Sequence, residues 1–347
     1  MRLCHLVAHN GSGMFHVAET LQQAERKLGL DSHLVDISLS VDWDEHAKAD
    51  IFIPHTDFPT ELGKRVKNPV MISHGTPEHI FNTAMQEGKQ GYGHGDHLMI
   101  WMHAMKTADA VCTFWPRHQK IMKQMCDKAT EVHLLPLGID KTFWGAAKSK
   151  GKYTGKPSVL SCENGHTIKW PLDLFTMWPW IYEQIPDACL HASYLPQDQH
   201  RYWFPLVNRN GTSFGAHISA ARYVQSELRH VLASVDYYCN LVKYGDFNRI
   251  GLEASMCGAK VISYRGNPYA DFWLTEGDQR VQAEELLGVL KGETEPRQKA
   301  EIPDSKEMAE TMIGIYEKIV DKGPMAIKPL KIKLPAENGS AYASIHQ

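Results

Sequence analysis

The sequence predicts an α/β protein made of two parallel-sheet domains in tandem. Three observations carry that expectation. Short apolar runs alternate with stretches of helical periodicity along most of the chain, the pattern of strands crossed over by helices. A hydrophilic segment at 146–157, AAKSKGKYTGKP, interrupts the alternation near the middle. The 347 residues exceed one ordinary domain and accommodate two. With 43% hydrophobic and 22% charged residues, the composition supports a buried core in each.

The first half begins with an apolar run at 2–8 and the turn Asn10-Gly11-Ser12-Gly13. Residues 14–28 follow with Val17, Ala18, Leu21, Ala24 and Leu28 on one helical face, and Gly29 as the stop. Residues 32–37 read as the next strand. This order, strand, glycine turn, helix, strand, opens a parallel sheet. Short buried strands are expected at 50–54, 70–73, 109–113 and 131–135, with helical stretches before the last two. Residues 136–140 then leave the sheet.

The second half repeats the scheme after the linker. Strands are expected at 158–162, 188–192, 235–239 and 260–263. Helices are expected at 172–185, with Pro179 inside, at 223–233 and at 251–257, the last ended by Gly258. A final amphipathic helix carries Met308, Met312, Ile315 and Ile319, and a polar, proline-containing tail follows. The expected division is 1–145, linker 146–157, 158–303, a helix at 304–321 able to pack back on the first domain, and a tail at 322–347.

Bulk properties exclude several classes. Lys and Arg total 37 against 40 Asp and Glu, a net charge of -3, so no basic field marks a dedicated nucleic-acid binder. The seven cysteines form no C-x-x-C pair and several sit in apolar runs. They read as small buried hydrophobes in a reducing compartment rather than a disulfide framework or zinc site. The first apolar stretch is too short for a signal peptide, and no window is long enough to span a bilayer. A cytoplasmic protein is expected. Asp42-Trp43-Asp44 and the histidines His94, His97 and His103 have metal-like spacing but fall in polar or glycine-rich loops, so no metal is expected.

The segment 245–262, GDFNRIGLEASMCGAKVI, concentrates the chemistry. A polar turn leads into a helix, and a glycine closes the helix before a buried strand. A helix N-terminus at the carboxyl end of a parallel sheet offers free N–H groups to an anion. Glu253 sits early in that helix, where its carboxylate either accepts from sugar hydroxyls or complements the helix dipole.

The same segment resembles the donor-site signature of retaining GT-B glycosyltransferases, E-x-F-G-x4-E-A-M-A-C-G-x-P-V-I. Phe247, Glu253, Ala254, Cys257, Gly258, Val261 and Ile262 match in register. Gly245 stands where that family has its first Glu, and Asn248 replaces its glycine. Asp246 is the adjacent carboxylate available to stand in for the first Glu. The turn Gly11-Ser12-Gly13 resembles the phosphate-approaching loop after the first strand. His74, after the strand at 70–73, resembles the histidine facing the donor sugar. Lys169 matches the family's diphosphate-neutralising lysine, while Asn164 occupies the place of its arginine. Arg249 is a cation in the 245–262 turn, and His217 lies in a segment, 215–218, resembling the base-receiving loop.

The resemblance implies a GT-B fold, two Rossmann-like domains facing each other across a cleft. It implies a glycosyltransferase moving a sugar from a UDP-, GDP- or ADP-linked donor, with retention and without a metal or other cofactor. The candidate catalytic residues are His74 and Asp246. The donor-binding candidates are Gly11, Ser12, Gly13, Lys169, His217, Asn248, Arg249 and Glu253. The acceptor is open among glycans, lipid-linked sugars, protein and a hydroxylated DNA base, for which Lys64, Arg65 and Lys67 are a local basic cluster. Competing readings are a nucleotide-sugar epimerase-like or phosphorylase-like enzyme, and a non-catalytic nucleotide- or sugar-binding protein.

Overall fold

The computed structural model describes residues 1–7, 13–37, 39, 46, 48–55, 68–74, 101–102, 104–126, 130–151, 153, 155–162, 172–209, 212–242 and 247–322. The first half contains β1 (Arg2–Val7), α1 (Gly13–Lys27), β2 (Asp31–Asp36), β3 (Ile51–Pro54), β4 (Val70–Ser73), β5 (Ala110–Thr113), α2 (Pro116–Met125) and β6 (Glu131–Leu134). Its strands pair in parallel in two groups, β2-β1-β3 and β4-β5-β6. A parallel bridge from Phe52 to Pro69 joins the groups edge to edge. Strands β3, β4 and β5 are buried along their whole length, which is why they read as unbroken apolar runs rather than alternating ones.

The chain crosses through α3 (Lys141–Gly145) to the second half. There it forms β7 (Ser158–Ser161), α4 (Leu172–Gln184), β8 (Cys189–Ala192), α5 (His200–Val207), β9 (Ala216–Ile218), α6 (Gln225–Leu232), β10 (Tyr237–Asn240), α7 (Arg249–Met256), β11 (Lys260–Tyr264), β12 (Phe272–Leu274) and α8 (Gln279–Leu290). The six strands lie in the order β9-β8-β7-β10-β11-β12, all parallel. Numbered within the domain this is 3-2-1-4-5-6, the order that creates a ligand crevice beside its first strand. The last helix, α9 (Ser305–Lys322), returns and packs along α1 of the first half.

Several local features follow from named residues. Helices α1 and α7 both end in a Schellman motif. For α7, Gly258 takes φ +95°, its N–H donates to Ser255 O, and that of Ala259 donates to Ala254 O. Helix α7 starts at Arg249, two residues earlier than its apolar spacing suggests, because Asn248 is its cap and accepts from Gly251 N at 2.9 Å. The segment 215–218 is not wholly a loop: Ala216–Ile218 pairs with β8 as the sheet's edge strand.

The two crossings between halves are bonded to each other. Ile139 and Asp304 form a parallel bridge, with Ile139 N donating to Pro303 O and Ser305 N donating to Ile139 O. Gly138 permits this approach, since a Cβ there would sit 2.4 Å from Asp304 O. One apolar cluster runs through the junction and includes Leu21 of α1, Ile72 of β4, Trp144 of α3, Leu252 of α7 and Met312 of α9. A second cluster, from Val159 to Leu290, belongs to the second half alone.

Candidate functional site

The expected site residues divide by where they fall. Gly11, Ser12, Lys169 and Asp246 lie outside the described residues, as do His94, His97, His103, Asp42, Asp44 and the 64–67 cluster. Gly13, His74, His217, Asn248, Arg249 and Glu253 are described.

Arg249 and Glu253 form the centre of the arrangement. Four residues apart on α7, they share a helix face, and Arg249 Nε donates to Glu253 Oε1 at 2.5 Å. Their side chains are only 10% and 4% exposed. Burial pushes the Glu253 carboxyl up to about 6, against the lowering effect of the Arg249 charge and hydrogen bond. The guanidinium also reaches the opposite half: Nη2 donates to Thr20 Oγ1 of α1 at 2.9 Å. Its Nη1 is buried with no hydrogen-bond partner among the described residues. A buried guanidinium with one unfilled donor is primed for an anion.

The surroundings close around this group. Trp115, just before α2, packs against Phe247 with ring centroids 5.9 Å apart, a second contact between the halves. A cavity of about 440 Å³ lies between α1 and the starts of α6 and α7, lined by His16, Thr20, Gln23, Phe143, Gln225 and Arg249. That volume is within the range of small-molecule sites. Gly13 begins α1 with open space over its Cα. Asn248 is committed to capping, and its Nδ2 donates to Tyr238 Oη at 3.4 Å.

His74 follows β4 directly and is half-buried, edge-on to Phe114 with centroids 5.4 Å apart. Burial first, and the Arg249 charge second, push its imidazole down to about 3, so it is neutral at physiological pH. His217 stands on exposed edge strand β9, its ring stacked on His191 at 5.2 Å. From there a row of rings leads back toward Glu253. Tyr153 is edge-on to His191, its hydroxyl lies 2.9 Å from that of Tyr223, and Tyr194 Oη donates to Tyr223 O. Burial, followed by the Cys162 charge and more weakly by Glu253, pushes the Tyr194 phenol up. Tyr194 also takes φ +72°, a left-handed conformation uncommon for a bulky residue and found at ligand sites.

Thr20, His16 and Tyr194 were not evident from motif spacing. The available signal was a pair of polar residues, His16 and Thr20, four apart beside the apolar face of α1. No group of three or more potential ligating side chains forms a metal site among the described residues.

The histidines set an acid limit on stability. A histidine depressed in the fold binds its proton more readily when unfolded, so its stabilisation is present above about pH 6.5 and is lost as pH falls. Glu253, raised in the fold, acts oppositely between 4.5 and about 6. His74, depressed to about 3, is joined by His55, pushed well below its usual range by burial and by His74 and His5. Unfolding free energy is therefore expected to rise with pH from 4.5 to 6.5. His74→Gln should flatten that slope by up to about 1.4 kcal/mol per pH unit. Urea titrations at three pH values measure it, and an unchanged slope would contradict the assignment.

No protein-family model and no curated protein matches the sequence. Solved structures do match. An α-glucosyltransferase in complex with UDP-glucose and DNA containing an abasic site superposes over 91% of this chain and 99% of its own, at 12% identity and TM-score 0.63. HepE from Anabaena, in complex with UDP and glucose, covers 93% and 99% at 13% identity and TM-score 0.61. Sucrose-phosphate synthase from Thermosynechococcus elongatus covers 93% and 100% at 12% identity and TM-score 0.66. At such identities the likeness establishes the fold: two Rossmann-like domains in the GT-B arrangement.

Proposed function

We propose that this GT-B chain is a glycosyltransferase that takes its sugar from a nucleoside-diphosphate donor bound in the cleft between its two domains. The observation that carries this reading is the buried Arg249–Glu253 pair at the start of α7, with a guanidinium donor unfilled among the described residues. A leaving diphosphate needs positive charge that is already in place when the glycosidic bond breaks. Arg249 supplies it in a low-dielectric cleft, and the N-terminus of α7 adds to it.

The remaining roles follow from position. Glu253 orients Arg249 through Oε1 and keeps its second oxygen for a ribose hydroxyl. His74, neutral, meets the donor sugar. Gly13, with Gly11, Ser12 and Lys169, approaches the phosphates, Asp246 the sugar, and His217 the base. Asn248 shapes the site by capping α7. Transfer proceeds with retention and without a metal, and the cleft excludes water that would otherwise hydrolyse the donor.

Calorimetry and thermal shift with UDP-, GDP- and ADP-sugars test the reading directly. A nucleoside diphosphate should bind at least tenfold more tightly than the monophosphate, because only the former reaches Arg249. UDP-glucose is the first donor to try, since HepE and the α-glucosyltransferase were each solved with it. Failure of every nucleoside diphosphate to bind would remove the proposal. Acceptor trials should pair glycans with DNA carrying hydroxymethylated bases, and the anomeric proton of the product reports retention or inversion.

A further inference from the structure

Behind His74 runs a chain of buried polar groups that sugar transfer as described does not require. His74 Nε2 lies 2.9 Å from His55 Nδ1, and His55 Nε2 lies 2.9 Å from His5 Nδ1. His5 Nε2 lies 2.7 Å from Glu25 Oε2. The rings are tilted by 34° and 40°, with centroids 5.1 and 5.2 Å apart. Glu25 accepts two more bonds, from Ser32 Oγ at 2.7 Å and from Tyr316 Oη at 2.8 Å. All of these residues are buried except His74, the half-buried end of the row, on which the Arg249 charge acts.

The chain has a direction. A neutral imidazole carries one N–H and one lone pair, so each bond in such a row decides the next. Glu25 is the fixed end, because His5, Ser32 and Tyr316 converge on its two oxygens as on an acceptor. His5 then donates through Nε2 and accepts at Nδ1. His55 donates to it through Nε2 and accepts at Nδ1 from His74 Nε2. In this arrangement every nitrogen from His5 Nε2 to His74 Nε2 has a partner. The remaining atom is His74 Nδ1, which has no hydrogen-bond partner among the described residues.

We infer that Glu25, His5 and His55 are positioning residues that hold His74 in its Nε2–H tautomer, so that Nδ1 presents a lone pair to a hydroxyl group of the substrate. A bound sugar can donate an O–H to that atom, whereas a phosphate or carbonyl oxygen placed there meets repulsion. The row thus selects a hydroxyl at this point of the cleft. That the hydroxyl belongs to a sugar rests on the proposed transfer activity, whereas the tautomer does not.

Nitrogen-15 NMR of the full chain labelled at histidine, with His74 assigned through His74→Gln, reads the tautomer without any ligand. The expected spectrum shows a protonated-type Nε2 and an unprotonated-type Nδ1 for His74. Either an Nδ1–H tautomer or fast exchange between the two would overturn the inference. In Glu25→Met, which removes the acceptor at similar length, His74 should lose its single tautomer. Retention of the same pattern there would also count against the row. An ordered tautomer in a chain that binds no nucleotide would defeat the transfer reading and leave this inference standing.

Discussion

Arg249→Ala is expected to abolish donor-dependent transfer and to lower stability by about 3–5 kcal/mol, the cost of leaving one member of a buried ion pair alone. Both effects come from one geometry. The guanidinium is 10% exposed, bonds Glu253 within its own helix and Thr20 across the cleft, and keeps Nη1 unfilled among the described residues. Its removal leaves a buried carboxyl already raised to about 6 with nothing to lower it. Two measurements separate the roles. In Arg249→Met combined with Glu253→Gln, the uncompensated charge is gone, so most of the stability should return while diphosphate binding stays lost. Undiminished nucleoside-diphosphate affinity in Arg249→Ala would dismiss Arg249 as the phosphate contact, whatever its effect on folding.

A chain ending at Pro303 is expected to leave the first domain unfolded. Met308, Met312, Ile315, Tyr316 and Ile319 of α9 are all buried, in the same apolar cluster as Leu21 and Ile72. At about 1.5–3 kcal/mol per buried side chain, their loss is comparable to the entire net stability of a domain, about 5–15 kcal/mol. Glu25 would lose the Tyr316 phenol at the same time. Hydrogen exchange resolved by segment checks this, with a chain ending at Lys322 as the reference. Fast exchange should take in the first domain and spare the Val159–Leu290 cluster, which contains no residue of α9. Native protection of β1 and β4 in the shorter chain would refute the prediction.

The fold class was legible because the buried strands are short and apolar throughout. Ile51–Pro54, Val70–Ser73 and Ala110–Thr113 need no partner to be recognised as interior strands. Helix α8 escaped notice because Val281 and Leu287 stand outside its buried positions Ala283, Leu286 and Val289, which blurs the periodicity. The sheet edges were less legible still, since β9 and β12 are three residues long. At the site, position along the chain could single out Arg249 and Glu253 but could not show that they pair and reach Thr20. That contact joins residues 229 apart and exists only once the halves meet. The histidine row had a faint signature: His5 lies within an apolar run, and His55 and His74 each follow one directly. Read singly, each is an ordinary core histidine. Only the order β1-β3-β4 across the sheet aligns them.

The return of α9 to α1 has a consequence for how the protein is made. Domains emerging from a ribosome ordinarily complete themselves in the order of synthesis, the N-terminal one first. Here the first domain emerges with a groove along α1, and the helix that fills it is translated after everything else described. The cluster that belongs to the second half alone is complete by Leu290. The nascent chain therefore has the Val159–Leu290 cluster in hand before the groove along α1 can be filled. In the interval the carboxylate of Glu25 awaits a phenol some 291 residues downstream. A stalled or truncated message would release the Val159–Leu290 cluster already complete, tethered to an open N-terminal half, the form that quality control would meet.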